Sequence, residues 1–140
     1  MLDLSQKEVL ERFQLNIQLS HLPGALDWID RTLRTITSPV FNEFVIRGLY
    51  GWETWSPRIT DGWEAVDAAL SVLAERNPDF KVVYRTVFPG FPHYTQPTYD
   101  EVRWFVTSHL PLASSKGLVK LEHVRGVENR CWELRYLDPV

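Results

Sequence analysis

The run Phe80-Lys-Val-Val-Tyr-Arg-Thr-Val-Phe88 decides the fold. Successive side chains of an extended chain point to opposite faces. Phe80, Val82, Tyr84 and Phe88 therefore share one side, and Lys81, Val83, Arg85 and Val87 share the other. This is the pattern of a strand with one buried face. A helical pattern stands on either side of it. Before it, Trp63, Val66, Leu70 and Leu73 recur at helical spacing until Asn77-Pro78 stops them. After it, Val102, Phe105 and Val106, continued by His109 and Leu110, form a second stripe. Pro111 kinks or ends that helix, and Gly117 closes the segment. Asp61-Gly-Trp-Glu64 and Thr98-Tyr-Asp-Glu101 have capping-box spacing at the two helix starts.

The same alternation continues outward. Phe13, Leu15, Ile17 and Leu19 oppose Arg12, Gln14, Asn16 and Gln18, which predicts a strand over 12–19. Leu22, Leu26, Ile29, Leu33 and Ile36 make a helical stripe ended by Ser38-Pro39. Phe44 and Ile46 against Glu43, Val45 and Arg47 make the next strand, and Gly48 to Pro57 reads as a loop. Ser5-Gln-Lys-Glu8 fits a capping box and predicts a short first helix through Glu11. Val119 and Leu121 against Lys120 and Glu122 give a strand over 118–124. Residues 131–136 give a last one, with Trp132, Leu134 and Tyr136 on one face.

This order predicts an α/β class and one domain over 1–140. About five strands form one mainly parallel sheet, joined by right-handed crossovers, with helices mostly on one face and a C-terminal hairpin. The alternative has helices on both faces. If one face is open, its exposed row includes Gln14, Asn16, Glu43, Val45, Arg47, Lys81, Val83, Arg85, Lys120 and Glu122. A weak internal repeat fits stacked strand–helix units: Val66-Asp67 lies 37 residues after Ile29-Asp30, and Val102 lies 36 after Val66.

Bulk properties narrow the function classes. A chain of 140 residues buries about two thirds of its unfolded surface, enough for a real core. A net charge of −3 with no basic stripe argues against nucleic acid and against an anionic membrane surface. The single cysteine, Cys131, makes no internal disulfide, which fits a reducing compartment. Met1-Leu-Asp-Leu-Ser5 has neither the basic nor the apolar region of a signal peptide, and no apolar run approaches the ~20 residues of a membrane span. An intracellular, cytoplasmic protein is expected.

Three segments carry a resemblance: His21-Leu-Pro-Gly-Ala-Leu-Asp-Trp-Ile-Asp30, Ile36-Thr-Ser-Pro-Val-Phe-Asn-Glu-Phe-Val-Ile46 and Arg76-Asn-Pro-Asp-Phe80. Together they resemble the C-terminal regions of many mushroom-forming fungal proteins that begin with an F-box-like segment and continue as irregular leucine-rich repeats. Ser114-Ser-Lys-Gly-Leu-Val-Lys-Leu-Glu-His123 fits the same picture. The resemblance spans residues 12–124 and rests on packing residues. It implies a leucine-rich-like strand–helix architecture and a role in binding other proteins. The F-box-like segment is not present here, so docking to a ubiquitin-ligase scaffold does not carry over. The strict repeat with its Asn ladder is also absent.

Candidate chemistry is sparse. His21, His93, His109 and His123 have no partner at zinc-ligand spacing. The carboxylate pairs Asp27/Asp30, Asp61/Glu64 and Asp100/Glu101 suit helix starts and surfaces better than acid–base work. Cys131 beside Arg130 lacks a nucleophile motif. No glycine run forms a phosphate loop. No catalytic residue, metal or cofactor is expected. The aromatic loops stand out: Trp52 and Trp55 in one, Phe91 and His93 in the next corresponding one. These either cover the end of the core or line a pocket. With Arg47 and Arg85 they are the candidate binding residues. The expected function is a non-enzymatic protein-interaction module, or the terminal fragment of a repeat protein. Its partner is another protein or a second copy through the edge of the 12–19 strand. The alternative is a small-molecule-binding protein or enzyme that uses the aromatic loops.

Overall fold

Four long strands pair in the order in which the chain makes them. The computed structural model describes residues 1–18, 22–49, 62–88, 98–125, 130–131 and 135–136. The elements are β1 (Arg12–Gln18), α1 (Leu22–Leu33), β2 (Glu43–Leu49), α2 (Trp63–Arg76), β3 (Lys81–Phe88), α3 (Tyr99–His109), α4 (Pro111–Ser115), β4 (Val119–Arg125), β5 (Arg130–Cys131) and β6 (Arg135–Tyr136). β1, β2, β3 and β4 are parallel neighbours in that order. A sheet that always steps to the next position with one crossover hand lays every helix on the same face. α1 accordingly lies against α2, and α2 against α4. The class is α/β: a four-strand parallel sheet with four helices.

The core lies between that sheet face and the helices. Phe44, Ile46, Val82, Tyr84, Val119 and Leu121 are its strand contribution. Leu26, Ile29 and Leu33 come from α1 and Ile36 from the chain just past its end, which falls at Leu33 rather than at the expected Ser38-Pro39. Trp63, Val66, Leu70 and Leu73 come from α2, and Val102, Phe105 and Val106 from α3 with Leu110 next to it. Every stripe residue named here is buried, each worth about 1.5–3 kcal/mol of transfer free energy for a side chain of this size. The periodicity of the sequence thus located the core correctly.

Helix ends follow local chemistry. Thr98 caps α3 through a full capping box: the Glu101 N–H donates to Thr98 Oγ1 at 3.2 Å, and the Thr98 N–H donates to Glu101 Oε2 at 2.7 Å. α3 ends at His109, and α4 begins one residue later with Pro111 in its first turn. α4 closes in a Schellman turn. Gly117 takes φ 66, its N–H donates to the Ser114 carbonyl, and the Leu118 N–H donates to the Ala113 carbonyl. At the start of α2 the residue before the first turn is Gly62 with φ 110, and a Cβ there would lie 3.1 Å from Leu26 Cβ. The cap expected from Asp61 lies outside the described residues.

Three expectations are corrected. The short helix over Ser5–Glu11 is absent; residues 1–11 run as turns. Side chains in the last turn of α1 and just after it capture this segment instead: Thr32 Oγ1 accepts from the Leu2 N–H, Thr35 Oγ1 from the Leu4 N–H, and Thr37 and Ser38 donate to the Ser5 and Glu8 carbonyls. A two-turn helix is marginal alone, so long-range partners for its backbone decide the outcome. Second, Gly48 and Leu49 continue β2, because the β3 ladder pairs them with Thr86 and Val87. Third, the region expected to form the last strand over 131–136 contributes two described two-residue segments, β5 and β6, both antiparallel to β4. Val124 faces Cys131 while Leu121 faces Arg135, so three steps along β4 correspond to four on the returning chain.

Candidate functional site

The sheet has two features that the helices leave alone: the face opposite the core and the outer edge of β1. Register places the face in rungs. Arg12, Glu43 and Lys81 form the first; Gln14, Val45, Val83 and Lys120 the second; Asn16, Arg47, Arg85 and Glu122 the third. On the first rung two cations share one carboxylate, with Arg12 Nε 2.7 Å and Lys81 Nζ 3.4 Å from the two oxygens of Glu43. In the third, Arg85 Nε donates to Glu122 Oε2 at 2.5 Å. Arg47, directly beside Arg85, makes no hydrogen bond or ion pair among the described residues, and its Nε is buried.

This face is less open than the alternation alone predicts. Val45 is 0% exposed and Val83 2% exposed, although neither belongs to the helix-side core. They occupy the middle of the sheet, surrounded by Glu43, Arg47, Lys81 and Arg85, whose long stems can shield apolar neighbours. The expected exposed row is therefore a charged ring around two buried valines.

The edge is the second feature. In a parallel ladder one residue offers both its N–H and its C=O to the same side, and the next residue offers them to the other. The Glu43 N–H donates to the Glu11 carbonyl, which sets odd-numbered residues of β1 toward β2. The backbone groups of Arg12, Gln14 and Asn16 thus face outward, and no described strand pairs with them. All three side chains are exposed. At the opposite edge, β4 is covered by β5 and β6.

Of the candidate binding residues, Arg47 and Arg85 stand together on one rung. Trp52, Trp55, Phe91 and His93 lie outside the described residues, as do His21 and the acid Asp61. The strands that lead into both aromatic loops end side by side, with Leu49 opposite Val87. The other candidate acids have structural work. Arg31 pairs with Asp27 and Arg34 with Asp30 one turn apart, Glu101 completes the cap, and Glu64 and Asp100 sit in first turns. Among the described residues no group of three or more His, Cys, Asp or Glu is placed to hold a metal ion. No described helix is long and apolar enough to cross a membrane.

Two buried polar groups stand out: Asp67, whose role was missed at the sequence level, and His109, which the sequence placed on a helical stripe. Asp67, 1% exposed on α2, accepts the Leu112 N–H at 2.8 Å and the Ala113 N–H at 3.0 Å. Burial pushes its carboxyl above the ordinary value, against the opposing pull of the Ala113 and Leu112 N–H groups and of the Lys116 charge. Its position on a buried helical stripe was the available signal. His109 packs on Phe105 at 4.2 Å and Trp63 at 5.5 Å between ring centroids. Its Nδ1 lies 2.6 Å from the Phe105 carbonyl, which can only accept, so the proton sits on Nδ1. Both groups belong to the junction of α2, α3 and α4 and serve packing there. Comparison of the chain with protein-family models, curated proteins and solved structures gives no match.

Proposed function

We propose that this chain is a non-enzymatic protein-interaction module that takes up a strand of another chain, a second copy in the first instance, along β1. The observation that carries this reading is the unprotected edge. Arg12, Gln14 and Asn16 present their backbone donors and acceptors outward, and apart from Arg12, whose charge is paired with Glu43, the edge carries neither charge nor proline at Gln14 and Asn16. Natural edges are normally blunted by such devices, and an edge without them is a template for another strand. With β4 covered, strand addition has one direction in which to extend the sheet. The reading extends to irregular leucine-rich-like strand–helix units, in which each unit is completed by its neighbour. It also places the protein inside the cell, in the cytoplasm.

The test is Asn16→Lys. Its side chain is exposed, so the fold tolerates the charge, while an edge lysine opposes strand pairing. Sedimentation velocity over a wide concentration range should show association of the unmodified protein and weaker association of the variant, with unchanged circular dichroism. A protein that stays monomeric at every concentration overturns the reading.

A further inference from the structure

We propose that Arg47 is the receptor for a carboxylate of an acidic protein segment docked on the helix-free face of the sheet. This deepens the reading of the chain as a protein-interaction module and rests on it, at a place distinct from the β1 edge.

Arg47 is an uncompensated cation in a position that makes compensation valuable. Its Nε is buried, and no donor–acceptor pair or ion pair engages it among the described residues. Its in-register neighbour on β3 is another arginine, and like charges directly opposite each other on adjacent strands repel. Arg85 escapes that cost through Glu122, whereas Arg47 has the neutral Asn16 on its other side. Glu43, four residues earlier on the same face, is already shared by Arg12 and Lys81. Val45, between Glu43 and Arg47 on that face, is fully buried. An apolar neighbour lowers the local dielectric, so an unpaired charge costs more there and a paired one gains more.

The chemistry of the occupant follows from the charge count. Among the described residues around the two valines, Arg12, Arg47, Lys81 and Arg85 outnumber Glu43 and Glu122, although the whole chain is net −3. The face is thus electropositive on an acidic protein and complements an acidic partner. One guanidinium on the third rung lacks a counter-ion, so one monoanion balances it. A phosphate dianion would overshoot and would meet the Glu122 carboxylate already in the row. A planar guanidinium also matches a carboxylate in two parallel hydrogen bonds.

The experiment titrates a fluorescent glutamate-rich peptide into the intact protein and compares four forms. Arg47→Gln should weaken binding about tenfold or more, the size expected for losing a charge-assisted hydrogen-bonded pair. It should also raise the thermal midpoint, because it removes an uncompensated charge; an arginine kept for the fold would lower it. Asn16→Glu sets a carboxylate directly opposite Arg47 in register and should weaken peptide binding by occupying the same group. Arg34→Gln, on the helix side and paired with Asp30, should bind as the unmodified protein does. Equal affinity for the unmodified protein and Arg47→Gln overturns the proposal, as does tighter binding of inorganic phosphate than of peptide at Arg47. Self-association, which tests the β1 edge, is read separately by sedimentation, so failure at one place is distinguishable from failure at the other.

Discussion

Replacing Asp67 with Ala should unhook α4 from α2. α4 has five residues, too few to stand alone, and its N-cap residue Leu110 supplies no side-chain acceptor. Pro111 has no N–H, so the first donors of the helix are those of Leu112 and Ala113. Both go to the two oxygens of Asp67, at 2.8 and 3.0 Å. Hydrogen bonds to a charged group contribute about 1.5–3 kcal/mol each, and a buried N–H left without a partner carries its own desolvation cost. Against this stands the burial of the carboxylate itself, which lifts its pKa and reduces the net gain. The balance is a loss of about 2–4 kcal/mol, a large share of the roughly 5–15 kcal/mol that holds a domain together. Asp67→Asn keeps one carbonyl acceptor and should lose about half as much. Urea denaturation followed by tryptophan fluorescence measures both, with hydrogen exchange of the Ala113 amide as a local readout. An Asp67→Ala midpoint equal to that of the unmodified protein would refute the reasoning, since it would mean that the two N–H groups find equivalent partners without the carboxylate.

Two further outcomes follow from the same structure. The raised Asp67 pKa means that the folded state binds this proton more tightly than the unfolded chain. Between the ordinary 3.8 and the raised folded value, stability should therefore fall as pH rises, and level off above that window. The difference in unfolding free energy between the unmodified protein and Asp67→Asn isolates the effect, and a difference that grows with pH across the window would contradict it. Leu70, 0% exposed in the middle of α2, should cost about 2–5 kcal/mol when replaced by Ala, from lost transfer free energy plus the cavity left behind. An unchanged denaturation midpoint would show that the helical stripe is not what holds the sheet face.

The sequence by itself determined whatever depends on near neighbours. Period-two alternation marked β1, β2, β3 and β4 and put Arg47 and Arg85 on the same face. Steps of three and four marked the buried stripes of the helices, and Thr98 with Glu101 marked a cap. Each of these is set within one or two turns of chain, where backbone geometry fixes which side chains share a face. Tertiary structure decided the rest, because the partners lie far along the chain. Ser5–Glu8 has capping-box spacing, yet hydroxyls some thirty residues away claim that backbone. Asp67 gives no local sign that its two partners are 45 and 46 residues on. The alternation of β2 and β3 marked Val45 and Val83 as open, whereas the tertiary structure buries both. Charge on a rung is likewise a property of register. Glu122 neutralises Arg85 from 37 residues away, and the same pairing leaves Arg47 beside Asn16 with no counter-charge among the described residues.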